Sequence, residues 1–153
     1  MKRQHLDKII ERQTTIINEE NWLGENFKSK IDCLSEETAF LNPLPQIHSV
    51  AELISHLTVW KEENIKKLNG NPATLTDDSP ENWKTSEILK KIGWKTIKED
   101  FFNISKKLTD FLSDKDDTFL EQESNYIILE GLIQHDIYHL GQIGITIKLI
   151  NTP

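Results

Sequence analysis

The sequence predicts an all-α fold, a four-helix bundle with a long loop between its second and third helices. Three observations carry that expectation. Apolar residues recur at spacings of three and four through most of the chain, the period of an amphipathic helix. Alternating apolar and polar runs of strand length are nearly absent. Capping residues, prolines and glycines punctuate the pattern where helices should begin and end. The 153 residues read as one domain, 1–153, long enough to bury a sizeable core.

The first helix is expected over roughly 3–34. Leu6, Ile9, Ile10, Gln13 and Ile17 share one face, and the pattern resumes with Leu23, Phe27, Ile31 and Leu34. Gly24 is the point where it breaks or bends. Asn42-Pro43-Leu44-Pro45 stops any helix and forms a connector. The second helix, 49–68, starts at Ser49 with Glu52 three residues on, which is a capping box. Its stripe is Val50, Leu53, Leu57, Trp60 and Leu68, and Asn69-Gly70-Asn71-Pro72 ends it. Residues 71–85 are polar and read as the long loop, anchored by Trp83. The third helix, 86–113, carries Trp94, Ile97, Phe101, Ile104, Leu108 and Phe111, the seam of a bundle helix. The fourth runs over 124–150 and ends at Asn151-Thr152-Pro153.

That fourth helix holds the chemistry. In Gln134-His135-Asp136-Ile137-Tyr138-His139-Leu140-Gly141-Gln142-Ile143 two histidines stand four apart inside an apolar run. At about 100° per residue, His139 lies roughly 40° and Gln142 roughly −20° from His135, so the three share a face. Ile128, Leu132 and Ile147 share it too, which turns it toward the core. Buried imidazoles need partners, and two at i,i+4 can reach one ion together. A metal site usually needs a third protein ligand. His5 sits near the terminus among polar residues, and His48 precedes the Ser49 cap and packs against the first turn. His56, beside Leu53, Leu57 and Trp60, is by itself more often a core histidine than a ligand. Opposite an independent His-x-x-x-His pair that balance reverses, and His56, His135 and His139 form a three-histidine site.

Gln142, Trp60, Asp136 and Tyr138 are the candidates for lining that site or supporting its ligands. Asp136 and Tyr138 lie off the histidine face, roughly 100° and −60° away. Glu52 is committed to the cap, and Glu63, between Glu62 and Asn64, reads as a solvated flank. No carboxylate stands out as a general base, and catalytic residues are left unassigned.

Composition narrows the partners. The formal net charge is −7 with a pI near 5.2, and the lysines are scattered among acids, which argues against nucleic acid. Cys33 is the single cysteine, so no intrachain disulfide forms, and it reads as a small buried or half-buried apolar residue. No stretch reaches membrane-spanning length and the N-terminus lacks a signal-peptide core, so a cytoplasmic location is expected.

His56 in Glu52-Leu53-Ile54-Ser55-His56-Leu57-Thr58-Val59-Trp60, followed some eighty residues later by His135-Asp136-Ile137-Tyr138-His139-Leu140-Gly141-Gln142, resembles the DinB-like (damage-inducible, YfiT-like) superfamily. Trp22-x-Gly24, the His48-Ser49 entry and the Trp60 to Gly70 ending are similar too. The resemblance implies a four-helix bundle, often homodimeric, whose three histidines bind nickel or zinc, with manganese or iron as alternatives. Carried over residue by residue, the ligands are His56, His135 and His139. Relatives of this kind include thiol-dependent S-transferases, a mycothiol-dependent isomerase and proteins called metal-dependent hydrolases.

Three functions follow as expectations. The first is a metal-dependent, thiol S-transferase-like enzyme acting on a small molecule with a low-molecular-weight thiol as cosubstrate, which needs no protein base. The second is a metal-dependent hydrolase, for which His48 or Glu63 would have to serve near a bound water. The third is a non-catalytic bundle whose ion staples helices two and four.

Overall fold

The computed structural model describes residues 2–122 and 124–152. Among the described residues there are eight helices and no strand: α1 (Gln4–Ile17), α2 (Phe27–Ile31), α3 (Glu36–Ala39), α4 (Val50–Leu68), α5 (Ser86–Ile92), α6 (Trp94–Ser113), α7 (Thr118–Glu121) and α8 (Asn125–Ile150). Of the expected Asn151-Thr152-Pro153 stop, Pro153 lies outside the described residues.

The expected helix over 3–34 is three helices. α1 stops at Ile17, where the Asn21 side-chain amide donates to the carbonyls of Thr15 and Glu25 and folds the chain back. Gly24 then takes φ +68°, a left-handed conformation that glycine enters without a Cβ penalty. Asn26 opens α2 with a reciprocal capping box to Ser29, and Ser35 caps α3 by accepting from the Thr38 amide. Cys33 is exposed in the turn between α2 and α3, contrary to the buried or half-buried place expected of it. The capping box at Ser49 and Glu52 is present, and α4 ends at Leu68 with Gly70 at φ +77°. Residues 71–85 contain turns and no helix.

The expected helix over 86–113 is broken at Gly93, φ +88°. A helix cannot pass through that conformation, so α6 starts anew at Trp94. It lacks a cap of its own, and the Glu36 carboxylate of α3 accepts from the Trp94 amide in its place. α1 is served the same way. Asp117 accepts from the amides of His5 and Leu6, placing a negative charge at the positive end of the helix.

α4 packs against both α6 and α8, and α1 closes the ring by packing against the same two. α1 and α4 therefore stand diagonally opposite. Between the helices lies a core cluster that includes Phe27, Phe101, Leu57, Leu108, Leu129 and Ile133, all at most 1% exposed. No helix among the described residues is long and apolar enough to cross a membrane.

Candidate metal centre

α4 and α8 run antiparallel and face each other along their middles. One cleft between them is lined by His48 and Leu53 of one stretch with Ile145 and Leu149 of the other. A second is lined by His56 and Asn64 together with His135 and Ile128. His56 thus meets the His135–His139 turn from across the interface. His56 and His139 are 6% and 5% exposed, and His135 is half-buried.

The three Nε2 atoms converge. His135 Nε2 is 3.0 Å from His56 Nε2 and 3.0 Å from His139 Nε2, and the ligating atoms of all three lie within 4.8 Å of one another. The far nitrogens decide which tautomers are present. His56 Nδ1 is 3.1 Å from the backbone carbonyl of Asn82, which can only accept, so Nδ1 carries the proton. His139 Nδ1 donates to Gln142 Oε1 at 2.6 Å. Both rings therefore turn bare Nε2 lone pairs toward His135. A single proton on His135 Nε2 can satisfy one of these and not both.

Extra protons do not resolve the conflict at neutral pH. Burial holds all three imidazoles well below their ordinary value, at about 4, and the neighbouring rings oppose a second charge. Convergent neutral lone pairs call for a cation between them. With His–metal bonds of about 2.0–2.1 Å, nitrogens sharing one ion lie about 2.9–3.3 Å apart. The two pairs that involve His135, at 3.0 Å, fall in that range, while the full set spans up to 4.8 Å, so a small rotation of the His56 or His139 ring would complete the set. The residues fit a divalent ion.

Sequence spacing gave no hint of what wraps the cluster. Trp83 is sandwiched between His48 and His56, with ring centroids at 3.8 and 3.9 Å and interplanar angles of 2° and 7°. His48 thus joins an aromatic stack. Asn82 ties the loop down three ways: it receives His56 Nδ1–H, its Oδ1 accepts from Trp60 Nε1 at 2.7 Å, and its Nδ2 donates to the Asp77 carbonyl. Asn82 carried no signal beyond being polar in a loop, and Trp83, expected to anchor that loop, gave no hint that it would stack on His56. Tyr138 is 63% exposed and sets its ring edge-on to His139 at 4.9 Å.

The carboxylates point elsewhere. Glu52 accepts from the Ser49 amide, Ser86 Oγ and Asn42 Nδ2. Glu63 is 2% exposed, which overturns its reading as a solvated flank: it accepts from the amides of Thr74 and Leu75 and holds the start of the loop. Those hydrogen bonds lower its carboxyl below the usual range despite burial. Asp136 is fully buried and pairs with Lys61 at 2.7 Å. Burial pushes its carboxyl up, against the pull of the ammonium. None of the three hydrogen-bonds to a histidine of the cluster.

The cleft that reaches His56 and His135 has a volume of about 350 Å³ and includes Trp60, Asn64 and Asp77. The one that reaches Gln142 and His48 has about 280 Å³ and is walled by Ile47, Leu53, Ile145 and Leu149. Two larger clefts lie elsewhere and include no histidine.

A family model described as the DinB superfamily matches residues 21–143, a span containing all three histidines. No curated protein and no solved structure matches the chain.

Proposed function

The chain belongs to the DinB superfamily, and from that premise we propose that it is a metal-dependent enzyme of the thiol S-transferase type acting on a small molecule. His56, His135 and His139 hold one divalent ion, nickel or zinc first. The observation that carries this reading is the pair of fixed tautomers: Asn82 and Gln142 each accept a hydrogen bond from an Nδ1–H, leaving both Nε2 lone pairs bare and turned toward His135. When bound, such an ion lowers the pKa of a small thiol and makes it a nucleophile at neutral pH.

The chain's own residues supply the rest. Trp83 stacks on His56 and Trp60 stands edge-on to it, which holds the ring in place. The two clefts on either side of the histidines give room for two small reactants, one against Trp60 and Asn64, the other against Ile47 and Ile145. In the transfer a C–S bond forms to an electrophile, its leaving group departs, and the thiol proton passes to solvent. No protein base is needed, and the engagement of Glu52, Glu63 and Asp136 elsewhere supports this over hydrolysis, which would want a base beside the attacking water.

The reading includes one domain and a homodimer joined along α8. Ile127, Tyr138 and Ile145 are 72%, 63% and 61% exposed. At about 100° per residue they fall within roughly 20° of one line, an apolar stripe of the kind that marks an interface.

The test is product formation by full-length protein loaded with zinc or nickel, given a small thiol and an activated aryl halide. Thioether that requires both thiol and metal is the expected result. Ester hydrolysis by the loaded protein in the absence of any thiol would move the assignment to a hydrolase. Chelation that melts the protein, with no turnover under either condition, would leave the ion as a staple between α4 and α8.

A further inference from the structure

Lys61 and Asp136 are both 0% exposed, and they join α4 to α8 through Lys61 Nζ to Asp136 Oδ2 at 2.7 Å. Asp136 directly follows His135, and Lys61 lies five residues beyond His56, so the pair sits beside the histidine cluster on the same two helices. Lys61 Nζ also stands 5.2 Å from the centre of the Phe101 ring on α6.

The pair is a poor choice for stability. Two charged groups have been taken out of water, and Asp136 Oδ1 is buried with no hydrogen-bond partner. Apolar side chains of similar size would serve the core as well or better. The one use for which buried polar pairs are well attested is fixing register between helices. That need exists here. His56 must meet two histidines on another helix, and a slip of one residue along an α-helix is about 1.5 Å, half the observed 3.0 Å spacing. Leu53, Leu57, Leu132 and Ile133 are buried on the same two helices, and the hydrophobic effect that drives their burial is non-directional, so it sets axial register less sharply than a hydrogen bond does. A hydrogen-bonded pair in a dry interior does not.

We infer that Lys61 and Asp136 are positioning residues that lock α4 and α8 in the axial register at which His56 closes on His135 and His139. This rests on the proposal that the three histidines hold an ion.

The experiment compares full-length wild type with Lys61→Met/Asp136→Leu, reading zinc affinity by competition with a chromophoric chelator, the visible spectrum after cobalt loading, and the melting temperature. The double variant is expected to melt at or above the wild-type temperature, to bind zinc about 10- to 100-fold more weakly, the usual cost of losing a group that orients a ligand, and to show an altered cobalt spectrum. A role in stability alone predicts the reverse pattern. If wild type binds zinc and the folded double variant binds it equally well with the same cobalt spectrum, the positioning role is overturned. If wild type binds none of zinc, nickel or cobalt, the metal reading fails and takes this inference with it. Lys61→Met alone, in which the buried carboxyl can take a proton and stay neutral, is the second variant. It is expected to melt below wild type, because one partner of a buried pair is left alone. Its zinc affinity and cobalt spectrum carry the same expectation and the same overturning result should the double variant not fold.

Discussion

Zinc loading should raise the melting temperature by an amount that can be worked out in advance. An ion that binds the converged histidines binds the folded chain and not the unfolded one, where His56 lies 79 residues from His135. Folding is then stabilised by RT ln(1 + [L]/Kd), about 2.7 kcal/mol at free zinc one hundred times Kd. The unfolding entropy near the midpoint is about 2.1 cal/mol/K per residue, roughly 320 cal/mol/K for 153 residues. The shift is therefore about 8 °C. Circular dichroism melts of full-length protein, first stripped by chelator and then titrated with zinc, measure it directly. His56→Ala, His135→Ala and His139→Ala should each lose most of the shift, since two imidazoles leave the set short of the usual three. His5→Ala is the control, because His5 contacts Asp117 and is not among the grouped histidines. His48→Ala should keep the greater part of the shift: His48 stacks on Trp83 and offers no atom to the cluster. A wild type unmoved by zinc, nickel and cobalt, or a His135→Ala variant that shifts as far as wild type, would refute the reasoning.

Other outcomes follow from the same geometry. In metal-free protein the three imidazoles titrate near 4 when folded and near 6.5 when unfolded. The unfolded chain thus holds more protons between those values. Stability is full above about 6.5 and falls as pH drops toward 4, which a series of urea midpoints would show. Phe101 is fully buried and packs on Phe27 at 4.8 Å. Phe101→Ala should cost about 3–5 kcal/mol in denaturant unfolding. Wild type should sediment as the proposed α8 dimer, and Tyr138→Glu with Ile145→Glu should sediment as a monomer with unchanged helix content; a wild-type monomer would overturn that part of the proposal.

What the chain determined locally was legible. The Ser49–Glu52 box, the three-and-four stripe of α6 and the i,i+4 pair His135–His139 all depend on contacts within one turn, and sequence order is a faithful guide to those. His56 was legible because an imidazole in an apolar stripe is costly unless something opposite answers it. Where a partner comes from far along the chain, residue type misled or said nothing. Glu63 looked solvated among polar neighbours, yet the loop folds back and gives it two amides. The helix expected over 86–113 ran across Gly93, but its left-handed φ and the carboxylate of Glu36, 58 residues from Trp94, make a new start at Trp94. Asn82 and Trp83 reach His56 only through the path of the loop, and Asp136 finds Lys61 only across the α4–α8 interface. Periodicity and caps are properties of neighbours within four residues, so the sequence itself determined that the chain is helical and which side chains share a face. Which faces are covered, and which lone pairs and charges meet there, is decided by packing between segments that the chain order does not bring together.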